Sequence, residues 1–348
     1  MNQQEYGKHT KSEILSQPAI WDQVLTSWSP STLEHFPLSK HYDQTLFIGC
    51  GSTYFLSRWA ARMHEIHTGL VSRAAPSSDL LIHPNSWIQK DQKTLLIPSS
   101  RSAATTETVN AIDLFKSHYP GDVVVITCNQ HEQMGSQTEY VISAEQAQEK
   151  SIAQTRSFSS MMLAHAFWLT RNLPLDISKD LRQFGENLLS NYTEKIDDLA
   201  HDTNLQKFFF LGSGPLYGLA NECMLKMKEI SLSFAESFHS LEFRHGPMSM
   251  VDNQTLVIGF LGEKGTDQEL AVLADMKAKG AQTMAVANTL TQKPAFIDHL
   301  ILLNSTLPMV WHSVLYLPMM QWLAYKRGIV NGLNPDRPHN LDAVVVLK

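Results

Sequence analysis

Thr45-Leu-Phe-Ile-Gly-Cys-Gly-Ser-Thr-Tyr54 and Phe208-Phe-Phe-Leu-Gly-Ser-Gly-Pro-Leu-Tyr217 are two versions of one pattern, an apolar run ending in Gly-x-Gly, set 163 positions apart. Working outward, Thr94-Leu-Leu-Ile97 returns as Thr255-Leu-Val-Ile258, and Val123 to Thr127 with Cys128-Asn129 resembles Met284 to Ala287 with Asn288. Three markers in the same order at a near-constant offset indicate an internal duplication. Each short, charge-poor run reads as a buried strand, and each glycine turn hands over to a helix. The apolar spacing predicts helices over Thr106 to Lys116, Asp267 to Lys279 and Asn221 to Ile230. Buried strands alternating with helices imply an α/β fold of two tandem doubly wound parallel-sheet domains. Ligands in such sheets sit beyond the carboxyl ends of the strands. The expected boundaries are a helical lead-in over 1–34 (its helix within Thr10 to Trp28), a first domain over 35–174, a connecting helix over 175–202, a second domain over 203–334 and a tail over 335–348.

The 348 residues suit about two domains. With 43% hydrophobic and 18% charged residues, the chain has a folded composition, and its net charge of −6 argues against a binder of nucleic acid phosphates. Cys50, Cys128 and Cys223 are widely spaced, so neither a disulfide framework nor a zinc site is indicated, and a reducing, cytoplasmic setting fits. The N-terminus has no signal-like apolar core. From His299 to Tyr325 there is no Asp, Glu, Lys or Arg, but Pro308 and Pro318 interrupt the run. It reads as a buried strand followed by a packed helix rather than a membrane span.

Two turns of the first half suit an anion. Gly49-Cys50-Gly51-Ser52-Thr53 joins a strand to a helix, where backbone amides and hydroxyls can meet a phosphate. It lacks the third glycine of a dinucleotide motif and the lysine of a nucleotide-triphosphate loop. Pro98-Ser-Ser-Arg-Ser-Ala-Ala-Thr-Thr-Glu-Thr108 then sets six hydroxyl residues and Arg101 at the next strand-to-helix junction. An N-cap accounts for one hydroxyl, not six, so Gly51, Ser52, Thr53, Ser100, Arg101, Ser102 and Thr105 are expected to cradle a sugar-borne phosphate.

In the second half, Glu222, Lys226 and Glu229 fall at i, i+4 and i+7 and share one helical face. A solvated face laced with ion pairs is the ordinary alternative. The chain then runs into Glu242-Phe-Arg-His-Gly-Pro-Met248, where Gly-Pro stops a helix and can project His245. A carboxylate and a histidine in one site supply a general base and a proton shuttle near neutral pH. His165, His201 and His312 lack partners at ligand spacing and read as packed or surface residues. Cys50 lacks a nearby histidine to make it a nucleophile and reads as a small packed residue.

Leu225-Lys-Met-Lys-Glu-Ile-Ser231, followed by Glu-x-x-His-Gly-Pro with His245 sixteen residues after Glu229, resembles the sugar isomerase (SIS) domain family. The chain is similar over nearly its whole length to the isomerase half of glucosamine-6-phosphate synthase. Cys128-Asn129, Ile152-Ala-Gln-Thr-Arg-Ser-Phe158 and the lead-in helix look like the family's aminosugar-6-phosphate deaminases. The resemblance implies that Glu229 moves a proton between C1 and C2 of an open-chain sugar phosphate, that His245 assists ring opening, and that Lys226 steadies the charge near Glu229. It also implies that Glu149 and Ile152 belong to a segment closing over the sugar, and that the site is shared between the subunits of a homodimer. Two departures narrow the choice. The first strand begins at Thr45, which leaves no room before it for a glutaminase domain, so glutamine-dependent synthesis is not expected. Ala343 stands where the synthase has its Schiff-base lysine, and Lys348, His339 and Asp342 do not replace it.

The expected activity is therefore an aminosugar-6-phosphate deaminase/isomerase, with glucosamine-6-phosphate placed first and galactosamine-6-phosphate second. The chemistry calls for no metal or organic cofactor, because the C–H to be broken is already α to a carbonyl. The partners expected are a small sugar phosphate and a second subunit, with no nucleic acid and no membrane. The alternatives are a fructosamine-6-phosphate-type deglycase, a plain aldose–ketose isomerase, or a non-catalytic sugar-phosphate sensor.

Overall fold

A computed structural model describes residues 6–173 and 176–342. The tail comparison at Ala343 and Lys348 lies outside these described residues. The chain opens with helices α1 (Lys8–Leu15) and α2 (Gln17–Ser27). Then come β1 (Gln44–Gly49), α3 (Ser52–Thr68), β2 (Ser72–Pro76), α4 (Ser77–Ile82), β3 (Thr94–Ser100) and α5 (Thr106–His118). Short strands β4 (Gly121–Val123) and β5 (Val125–Thr127), helix α6 (Gln133–Ser136), β6 (Val141–Ser143) and α7 (Arg156–Thr170) follow. Helix α8 (Ile177–His201) leads to β7 (Lys207–Gly212), α9 (Pro215–Ser231), β8 (Phe234–His239), β9 (Thr255–Leu261) and α10 (Thr266–Ala278). The chain continues through β10 (Gln282–Ala287), β11 (His299–Leu302), α11 (Met309–His312) and α12 (Pro318–Val330).

Two parallel sheets result. The first runs β2-β1-β3-β5-β6, with β4 also pairing β3, and the second runs β11-β10-β9-β7-β8. Read from the strand that opens each half, both sheets reverse direction between that strand and the third, the point at which doubly wound sheets bind ligands. The repeated sequence markers fall on β1 and β7, β3 and β9, and β5 and β10. Strands β1, β3 and β9 are buried along their whole length, as a sheet covered on both faces requires. A core of Leu46, Ile48, Leu96, Ile112 and Phe115 fills the first half, and one of Phe209, Val257, Val272, Met276 and Ala285 fills the second.

The two halves also turn alike. Gly51 and Gly214 precede their helices at φ 55° and 56°, a region that glycine enters without penalty. Gly49 and Gly212 let those helices come close: a Cβ on Gly49 would lie 2.4 Å from the Thr53 carbonyl carbon, and one on Gly212 would lie 2.5 Å from Leu216 O. Neither neighbour is a flexible side chain. A Gly49→Ala variant is therefore expected to lose roughly 2–3 kcal/mol of stability to overpacking, read as a lowered midpoint in urea unfolding.

The chain separates into two compact units. One holds residues 19–149 and 156–180 with residue 342, and the other holds the described residues up to 18 together with 150–155 and 181–341. Helix α1 and the segment 150–155 thus belong with the second sheet, not the first. The charge-free run resolves into β11, helix α11, a 3₁₀ turn over Ser313–Tyr316, and α12 with Pro318 in its first turn. Residues Val310 to Ala324 are almost entirely buried. No helix among the described residues is long and apolar enough to cross a membrane.

Candidate active site

In the unit built on the first sheet, the anion turns fold as hydroxyl clusters at the carboxyl ends of β1 and β3. Thr53 Oγ1 accepts the Cys50 N–H and donates to Cys50 O, both at 3.0 Å, so this hydroxyl closes the turn. Ser52 opens α3 beside Gly51 and is buried. Ser100 Oγ stands 3.2 Å from Thr105 Oγ1 and 3.5 Å from Ser102 Oγ, and Ser102 Oγ accepts the Ala104 N–H. Thr105 holds the N-cap position of α5 but makes no side-chain cap bond. The simple capping explanation therefore fails there, and the hydroxyl faces its neighbours. Ala103, in the same turn, has φ 53°, a left-handed conformation unusual for a residue with a Cβ. Arg101 is turned to Glu149, Nη1 to Oε2 at 3.3 Å, and the Ser157 hydroxyl and amide also reach that carboxylate. The structure thus brings Ser100, Ser102 and Thr105 together and sets Arg101 with Glu149. Ile152 lies in the other unit, where its N–H reaches Asp336 O at 3.3 Å.

In that second unit, helix α9 carries the acidic–basic row. Lys226 Nζ lies 3.4 Å from Glu222 Oε1 and bonds to Glu229 Oε2. Side-chain exposure is 0% for Glu222, 1% for Lys226 and 19% for Glu229. The ordinary alternative of a solvated face is overturned, because two of the three groups are out of water. Burial alone would pull the Lys226 ammonium down, but the carboxylates of Glu222 and Glu229 outweigh it and hold its pKa above the ordinary lysine value. Lys226 is therefore a fixed cation, and Glu229 is the member of the row with access to solvent. Glu222 was legible in the stripe but had no assigned role; the structure makes it the inner counter-charge of Lys226. The apolar residues around it on α9 (Leu219, Cys223) were the available signal that this face is buried.

His245 ends a 3₁₀ turn over Glu242–Arg244 and is exposed; its imidazole has no hydrogen-bond or ion-pair partner among the described residues. The second sheet holds one group that sequence reading missed. Glu269, in the first turn of α10, is buried at the carboxyl ends of β8 and β9, accepting the Gly262 N–H at 2.9 Å and the Ser240 hydroxyl at 3.4 Å. Burial raises its pKa against those bonds. The edge where the first half gathers hydroxyls is here supplied with the chain's own carboxylate. Pro215 stands where Ser52 does in the first half, and it has no N–H to offer. The histidines set aside earlier are indeed packed or on the surface: His165 bonds Ser99 at 2.8 Å, His312 bonds Leu307 O, and His201 is exposed. Burial pushes the Cys50 thiol pKa up, away from the thiolate. Among the described residues no cluster of three or more His, Cys, Asp or Glu could hold a metal ion.

The sequence model of the SIS domain matches residues 39–171 and 203–301, the two sheet-bearing stretches. The chain belongs to the SIS domain family. It is 26% identical to the D-galactosamine-6-phosphate deaminase AgaS of Escherichia coli O157:H7, over 95% of this chain and 92% of that one. It is 25% identical to the isomerizing glutamine–fructose-6-phosphate aminotransferase of Chlamydia abortus, over 100% of this chain and 60% of that protein's length. Among solved structures, a tagatose-6-phosphate ketose/aldose isomerase from Escherichia coli superposes with a TM-score of 0.84 at 25% identity, covering 95% of each chain. These relatives support an enzyme of the phosphosugar isomerase family that acts on sugar phosphates.

Proposed function

We propose that this SIS protein is an aminosugar-6-phosphate deaminase/isomerase acting on glucosamine-6-phosphate or galactosamine-6-phosphate. The observation that carries the reading is the buried Glu222–Lys226–Glu229 row, which presents one carboxylate to solvent and fixes it with a cation behind. The turns of Gly51, Ser52, Thr53, Ser100, Ser102 and Thr105 take the 6-phosphate, and Arg101 holds Glu149 in the segment that, with Ile152, covers the sugar. His245 assists ring opening to the aldehyde. Glu229 removes the C2 proton, giving an enolamine, and returns a proton to C1. The C2 imine so formed adds water and expels ammonia, leaving the 6-phosphoketose.

Lys226 does not serve as an imine-forming amine in this scheme, because its raised pKa keeps it protonated. We assign His245 to the site of a second subunit, so that a homodimer would be the working assembly; its exposure, with no partner among the described residues, supports this reading. The likeness to AgaS favours ammonia release, and the likeness to the tagatose-6-phosphate isomerase favours a second reading, the same proton transfer without loss of nitrogen. The test is ammonia release, together with aldose–ketose conversion, across glucosamine-6-phosphate, galactosamine-6-phosphate, tagatose-6-phosphate and a fructosamine-6-phosphate. Ammonia from either amino sugar is expected. Aldose–ketose conversion alone supports the second reading, and amino-acid release from the fructosamine compound would replace both.

A further inference from the structure

The N-terminal helices carry buried polar residues where apolar ones would suffice. Thr10 and Glu13, at i and i+3 on α1, and Gln17, which opens α2, are all buried. Glu13 makes no ion pair among the described residues. Its carboxylate instead gathers the Lys150 N–H at 2.6 Å, the Ser151 N–H at 3.4 Å and the Ser151 hydroxyl. Gln17 and Thr155 are joined through Gln321, whose Oε1 accepts from Gln17 Nε2 at 2.9 Å and whose Nε2 donates to Thr155 O at 3.3 Å. The tail closes the arrangement. Asp336 accepts the N–H groups of His9 and Thr10 and the Thr10 hydroxyl, and its own carbonyl takes the Ile152 N–H. Helix α1, the segment 150–155 and the tail around Asp336 all lie in one compact unit, so this is one network.

A buried carboxylate without a cation is costly unless each oxygen is fully bonded. Here it is satisfied by two consecutive backbone N–H groups and one hydroxyl, an arrangement that needs acceptors only. A carboxylate offers two acceptor oxygens and no donor, whereas an amide offers one acceptor and an NH₂ that would face these donors. A leucine at position 13 would bury well and hold nothing. The residue chosen is the one that fixes the backbone of 150–151.

We infer that Glu13 and Asp336 are positioning residues: they hold the segment around Ile152 in its sugar-covering conformation from helix α1 and the tail. The inference rests on the reading of the site proposed above, in which that segment covers the substrate. Neither group touches the reacting atoms, so the loss expected on removing Glu13 is in substrate capture rather than in the proton transfer.

The test compares Glu13→Ala and Glu13→Gln in the full chain by steady-state kinetics and by hydrogen exchange at the amides of residues 150–152. For Glu13→Ala, KM for the aminosugar phosphate is expected to rise about tenfold with kcat within about threefold, and exchange at 150–152 to quicken about tenfold or more. Glu13→Gln, which keeps one acceptor but turns an NH₂ toward these donors, is expected to recover only part of the loss in KM. A purely structural role would lower the melting temperature and the active fraction but leave KM unchanged. Unchanged exchange at 150–152 overturns the inference, and so does faster exchange with KM unmoved. Absence of turnover by the wild-type protein strikes the proposed reaction instead, and it is seen before any variant is compared. Exchange, which needs no substrate, then decides alone whether Glu13 holds the segment.

Discussion

The Glu229→Gln variant is expected to lose about three orders of magnitude or more in kcat, with KM changed little. Glutamine has nearly the shape of glutamate, and its amide oxygen can still accept from the Lys226 ammonium that now bonds the carboxylate. Lys226 also keeps Glu222 as counter-charge, so the buried part of the row stays neutralised. What disappears is the group that can take the C2 proton. The 6-phosphate is assigned to hydroxyls that the substitution does not touch, and this is why capture should survive. Lys226→Met would be a poorer probe. It would leave the fully buried Glu222 without its cation, and breaking a buried pair costs about 3–5 kcal/mol, so lost activity could come from lost fold. The measurement is ammonia release under saturating substrate, with circular dichroism to show that the variant is folded. Retention of more than a tenth of wild-type turnover would sink the assignment of Glu229 as base and move attention to His245.

Much of this architecture could be read from the chain because duplication makes each half a check on the other. Strands β1 and β7 announce themselves twice, and the Gly-x-Gly turns recur because both halves need the helix backbone within van der Waals contact of the first glycine. The i, i+4, i+7 spacing in α9 was equally legible. Its burial was not, since the same spacing serves a solvated face, and only the packing of α9 into the fold decides between them. Glu269 escaped because its partners, Ser240 and Gly262, come from two other strand ends and have no spacing to betray them. Glu13 escaped for a related reason. A glutamate in an N-terminal helix of mixed polarity looks exposed until a segment some 137 residues away brings its N–H groups to it. Contacts that depend on distant backbone, rather than on the periodicity of one element, are the ones sequence alone conceals.

The same reasoning leads to an expected acid lability centred on the unit built on the first sheet. His64 and His165 are both buried there: His64 Nδ1 lies 2.6 Å from Ser72 Oγ, and His165 Nε2 lies 2.8 Å from Ser99 Oγ. Their surroundings are aromatic, with His64 stacked on Trp168 at 5.4 Å between ring centres and both imidazoles 5.7 Å from Phe47. Burial, with a lesser contribution from repulsion by His67, lowers the pKa of His64 to about 4, and burial with repulsion by His64 lowers that of His165 to about 3. An unfolded histidine titrates near 6.5. Above about pH 6.5 both states are neutral and stability is undiminished. As the pH falls below that, the unfolded chain takes up protons that the folded chain refuses, so stability is lost progressively down to about pH 4 and then about pH 3. Two such groups remove on the order of 5 kcal/mol by about pH 4.5, a large share of the stability of an ordinary domain. Unfolding followed by tryptophan fluorescence should therefore show a steep decline between about pH 6 and pH 4.5. Trp168 and Trp59 flank the imidazoles and report on this unit directly. His165→Gln can keep the bond to Ser99 and removes the titration, so it should lower the acid midpoint by roughly half to one pH unit. An unchanged midpoint in that variant would show that acid acts elsewhere, first of all at Asp298, whose pKa is lowered and which bonds Lys277 in the other unit. The two units could then be separated by which fluorescence signal moves first, since Trp311 and Trp322 belong to the second.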